Sequence, residues 1–140
     1  MAATFKVRLL TPTGIVFEGD VEEVAAIGAL GEFGVLAEHI NFITSLVPGV
    51  LEVRLPDGIA KHWVVSGGLA EVREGVMTVL ASGAESPESV DADAAAAQVE
   101  QANERFSNLS FYDPEYAAAQ EALLLARARV EAAALKPASR

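Results

Sequence analysis

Residues 81–97 read Ala81-Ser82-Gly83-Ala84-Glu85-Ser86-Pro87-Glu88-Ser89-Val90-Asp91-Ala92-Asp93-Ala94-Ala95-Ala96-Ala97. Gly83 is the last glycine of the chain, and alanine becomes the dominant residue shortly after Pro87. Glycine punctuates strands and turns, whereas alanine has the highest helix propensity. The structural character of the chain therefore changes near Ala84 to Pro87. Two units are expected, a head over residues 1–85 and a C-terminal unit over residues 86–140.

Upstream of the break the apolar residues alternate with period two. Phe5, Val7 and Leu9 point one way, with Lys6 and Arg8 opposite. Leu51, Val53 and Leu55 repeat the pattern around Glu52 and Arg54, and Ala70 and Val72 repeat it around Glu71 and Arg73. Such alternation predicts antiparallel strands with one buried face. Pro56-Asp57-Gly58 and Glu74-Gly75 are turn signals between these runs. Many short strands at this spacing predict a β-sandwich or barrel.

Downstream the period lengthens. Val99, Ala102, Phe106 and Leu109 recur at spacings of three and four, as do Tyr116, Ala119, Leu123, Ala126, Val130 and Ala133. These are apolar stripes on two helices. Ser107 to Asp113 is the expected connection, with Asp113 capping the second helix and Pro114 at its first position. The unit is expected to be an antiparallel α-helical hairpin, closely packed because its seam is rich in alanine.

Composition narrows the function. The 140 residues carry a net charge of −10 and no cysteine. Without cysteine there is neither a disulfide framework nor thiolate chemistry. The acidic balance disfavours nucleic acid and anionic lipid as partners. No run of 18 apolar residues occurs, so direct membrane insertion is not expected, and no signal-like apolar segment opens the chain.

Catalytic constellations are missing too. His39 and His62 lie in different strand-rich segments without metal-ligand spacing, and His62 is expected on a strand surface. Ser66, in Val65-Ser66-Gly67-Gly68, lacks the Gly-x-Ser-x-Gly elbow and reads as part of a tight turn. Gly28 to Gly34 carries no Lys-Ser/Thr and opens no helix, so it is no phosphate loop. Glu22 and Glu23 are neighbours on opposite faces of a strand, poor geometry for paired-carboxylate chemistry. No metal site and no catalytic residue are expected, and the chain is not read as an enzyme on its own.

Gly31-Glu32-Phe33-Gly34-Val35-Leu36-Ala37-Glu38-His39 closely resembles the signature loop of the epsilon subunits of bacterial F-type ATP synthases. The family usually has Pro-Gly where this chain has Ala37-Glu38. Thr11-Pro12-Thr13-Gly14 with Val16-Phe17-Glu18-Gly19, then Pro48-Gly49-Val50, then Val65-Ser66-Gly67-Gly68 also match in order. The likeness spans essentially the whole chain.

The resemblance implies a flattened sandwich of about ten strands followed by the helical hairpin. It implies a non-catalytic rotor subunit that bridges the gamma subunit and the c-subunit ring. It places the chain peripherally at the cytoplasmic face of the bacterial inner membrane. The C-terminal helices are expected to reach the alpha/beta catalytic ring when extended and to restrain ATP hydrolysis, with Arg127 and Arg129 available there unless solvated or paired with Glu131. Glu32, Phe33 and His39 are the expected partner contacts on the head. No cofactor is implied. Some family members hold ATP on the hairpin through Ile/Leu-Asp-x-x-Arg-Ala and further arginines. Here Asp91 and Ala95 match, Ala94 replaces the arginine, Gln101 replaces a second basic residue, and Arg127 retains a third, so ATP binding is expected to be weak or absent. A free-standing β-sandwich binding module is the alternative that the fold alone permits.

Overall fold

The computed structural model describes residues 3–135. The first two residues, and residues 136–140 at the end of the expected C-terminal unit, lie outside the described residues. Ten strands come first: β1 (Phe5–Thr11), β2 (Gly14–Val21), β3 (Glu23–Gly28), β4 (Gly31–Leu36), β5 (Phe42–Leu46), β6 (Gly49–Arg54), β7 (Ala60–Val65), β8 (Gly68–Arg73), β9 (Val76–Ala81) and β10 (Ala84–Glu85). A 3-10 turn (Pro87–Ser89) leads into α1 (Ala92–Ser107) and α2 (Tyr116–Ala134).

The strands form one sheet in the order β10-β7-β6-β3-β5-β8-β9-β1-β2, with β4 also paired to β3. The sheet folds over at β3 and β5, which meet at Gly28 and Leu46. Its two halves enclose a core in which Val7, Leu9, Val24, Leu51, Met77 and Val79 are fully buried. Phe17 of β2 and Trp63 of β7 close the layers, with ring centroids 5.3 Å apart. The alternating residues read from the sequence are the ones turned inward. Burying these side chains contributes roughly 1.5–3 kcal/mol each, which sets the strand register.

One pairing departs from the antiparallel expectation. β1 runs parallel to β9, from Lys6 opposite Val76 to Leu10 opposite Leu80. Period-two alternation specifies a buried face but not strand direction, and these strands come from opposite ends of the head. Glu22 also sits in the bend between β2 and β3 rather than within a strand, its N–H donating to the Arg54 carbonyl at 2.8 Å. Ser66 belongs to the short link from β7 to β8, where a Cβ on Gly68 would collide with the Leu80 carbonyl.

The hairpin is more than a pair of helices. α2 packs on α1 through Ala119, Leu123 and Ala126, as its stripe predicts. Its other face, Ala128 and Ala132, is buried with Val64, Val90 and Ala95 in a second apolar cluster, flanked by Val50 and Leu125. Val130, assigned to the buried stripe from spacing, is instead exposed. The helix has to serve two surfaces, and Val130 faces neither. Asp113 does not cap α2: its carboxylate accepts the Ser110 N–H at 2.7 Å, closing the connection, and the helix begins at Tyr116.

Candidate partner-binding surfaces

Among the described residues no helix lies on the outer face of β8, β9, β1 and β2, because α2 packs against β6 and β7. On this face the register brings apolar side chains side by side. Leu69 is opposite Leu80, Leu80 is opposite Leu10, and Leu10 is opposite Ile15. Leu69, Leu80 and Ile15 are 37%, 49% and 57% exposed, enough to make an open apolar row across four strands. The next outward row is polar: Glu71, Thr78, Arg8 and Glu18, with Arg8 Nε 2.9 Å from Glu18. A contiguous apolar band beside a polar rim marks an interaction surface. Sequence reading passed over this row because a strand with one inward face was expected to be polar outward. The doubled Leu9-Leu10 and the Leu69-Ala70 step were the available signals.

The three expected head contacts do not form one cluster. Phe33 of β4 is half-buried, its ring edge-on to Phe42 at 5.5 Å. His39 is also half-buried, 5.0 Å from the same ring, with Nδ1 2.8 Å from the Ile40 carbonyl oxygen. Phe33 and His39 thus support the β4–β5 connection from inside, while Leu36, Ile40 and Ile43 stand exposed around it. Glu32 has an exposed side chain and lines a cavity of about 250 Å³ with Ile27, Glu52, His62, Glu131 and Leu135, near the end of α2. His62 lies on β7 with Nε2 3.1 Å from Glu52 Oε1.

The hairpin arginines differ sharply. Arg127 is exposed and forms no ion pair among the described residues. Arg129 is engaged: its Nε–H donates to Glu85 Oε1 at 2.8 Å, and an Nη1–H donates to Gln98 Oε1 at 3.3 Å. It does not meet Glu131. Asp91 caps α1, accepting the Ala94 N–H at 3.0 Å, so it has a structural task in the helix. Phe111 and Tyr112 project at the hairpin tip, a surface that the helical stripes did not signal.

Among the described residues there is no group of three or more His, Asp or Glu side chains arranged to hold a metal. Among the described residues no helix is long and apolar enough to cross a membrane. The geometry is that of a scaffold with an open apolar face and a docked helical arm.

Comparisons with known proteins agree with this geometry. Residues 4–87 match the family described as ATP synthase, Delta/Epsilon chain, beta-sandwich domain. The chain is 36% identical over 131 residues to the ATP synthase epsilon chain of Nitratiruptor sp., covering 94% of this chain and 96% of that one. It is 39% identical over 134 residues to the ATP synthase epsilon chain of Geotalea uraniireducens, covering 96% of each. Among solved structures it resembles a chain of the Euglena gracilis mitochondrial ATP synthase, OSCP/F1/c-ring in rotational state 1, with TM-score 0.80 and 28% identity, covering 96% of this chain and 83% of that chain.

Proposed function

The chain belongs to the family of ATP synthase epsilon chains, and from that premise we propose that its head is the rotor attachment and its hairpin the regulatory arm. It is a non-catalytic subunit of the central stalk. The head binds the gamma subunit through the outer face carrying Leu10, Ile15, Leu69 and Leu80, and meets the c-subunit ring through exposed head loops. Ring rotation is thereby coupled to ATP synthesis on other subunits. The complex holds the chain peripherally, at the cytoplasmic face of the bacterial inner membrane. When the hairpin extends, it reaches the alpha/beta ring and restrains hydrolysis, with Arg127, exposed and without an ion pair among the described residues, as one cation available to it.

The uncovered apolar row is the observation that carries the attachment. Leaving such side chains in water is unfavourable, whereas burying them against a partner contributes about 25 cal/mol per Å² of apolar area. Titrating purified gamma subunit with the full chain by calorimetry tests the assignment. The Leu69→Ser/Leu80→Ser variant should keep its fold, since both positions are partly exposed, and should bind gamma about tenfold or more weakly. Equal binding by a folded variant would move the attachment to another surface.

A further inference from the structure

Arg129 joins three segments of the chain. It projects from α2, bonds Glu85 on β10 at 2.8 Å and bonds Gln98 on α1 at 3.3 Å. On the helix side the rest of the docking face is mostly alanine, with Leu125 beside it. Ala128 and Ala132 share a cluster with Val64 of the head and with Val90 and Ala95 of the C-terminal unit itself, so each docking alanine contributes only a single methyl group. A charge-assisted hydrogen bond is therefore large relative to its apolar surroundings. The pair is also partly withdrawn from water, with the Arg129 and Glu85 side chains 29% and 38% exposed, so screening is reduced compared with a surface pair.

Glu85 is well placed to transmit this contact. β10 is two residues long, and Glu85 stands opposite Val64, the residue whose side chain packs beneath α2. One ion pair thus fastens both the arm and the last strand leading into it. We propose that Arg129 and Glu85 form an ionic latch that sets how readily the helical hairpin releases from the head. Arg129 supplies the clamp, Gln98 aligns its guanidinium, and no ligand is needed to hold the arm closed. The latch rests on intramolecular geometry and does not depend on what the head binds.

Amide hydrogen exchange on the full chain tests it without any partner, which separates failure of the latch from failure of the rotor assignment. Arg129→Gln and Glu85→Gln should each speed exchange of the docked part of α2, around residues 126–133, by about tenfold, while β1 and β9 exchange as before. The double variant should be no faster than Arg129→Gln, which already removes the bond to Glu85 together with the one to Gln98. The exchanged pair Glu85→Arg/Arg129→Glu should recover most of the protection. Raising the salt concentration should loosen the unmodified chain and leave Arg129→Gln nearly unchanged. Unchanged exchange in the single variants, additive effects in the double variant, or acceleration spread equally through β1 and β9 would each overturn the latch.

Discussion

At Glu38 the backbone takes φ 66° while the His39 N–H donates to the Leu36 carbonyl at 3.3 Å. A positive φ at the third residue of such a turn is the type II pattern, which favours glycine. An L side chain held there costs about 1–2 kcal/mol, of which glycine would lose part again to its freedom in the unfolded chain. Glu38→Gly should therefore stabilise the protein by about 0.5–1 kcal/mol, seen as a higher midpoint in urea unfolding with unchanged slope. A lower midpoint would mean that the Glu38 side chain contributes more than its backbone costs. The Pro-Gly that the family resemblance sets against Ala37-Glu38 pointed to this turn, and the positive φ gives the physical reason. The roles of Phe33 and His39 were harder to read. Both were singled out from the loop as partner contacts; besides this, each has its ring against Phe42, a contact between β4, its following turn and β5 that no sequence spacing encodes.

Among the elements, α2 explains which readings were possible. Its α1-facing stripe follows helical spacing and was legible at Ala119, Leu123 and Ala126. Its head-facing surface was not, because Ala128 and Ala132 look like ordinary helix formers until β6 and β7 are folded beneath them. The parallel pairing of β1 with β9 was hidden for a similar reason: alternation records burial, not direction. The same region argues against a nucleotide. Ala94 lines a cleft of about 260 Å³ with Glu85, Asp91, Gln98 and Arg129, and supplies a methyl group where the ATP-holding motif has its arginine. The cation there is already bonded to Glu85. Calorimetric titration of the full chain with Mg-ATP should give no binding in the micromolar range, and Ala94→Arg should tighten binding by about tenfold or more. Micromolar binding by the unmodified chain would show that Arg129 leaves Glu85 for the nucleotide.

For the whole molecule, the apolar row and the docked hairpin occupy different parts of the folded-over sheet, which makes attachment and regulation separable. Residues 1–85 should fold without the hairpin, less stable by a few kcal/mol because Val64 and its neighbours lose their cover. That fragment should bind gamma within about twofold of the full chain, measured by calorimetry, since Leu10, Ile15, Leu69 and Leu80 are all retained. Removing residues 87–140 from the assembled enzyme should raise ATP hydrolysis about fivefold or more, the range expected for a coupling of this kind. Unchanged hydrolysis at full assembly would remove the inhibitory role from the hairpin. The division into strand-rich and helical segments was visible in the glycine and alanine distribution, but how far the head stands alone depends on contacts at Val50 and Val64 that the distribution does not contain. The most direct measurement is ion-driven ATP synthesis by enzyme depleted of its own epsilon subunit, reconstituted in vesicles with and without this chain. Adding the chain should restore synthesis, and the Leu69→Ser/Leu80→Ser variant should restore it only at higher concentration. Synthesis that stays at the depleted level with folded chain in excess would contradict the rotor assignment.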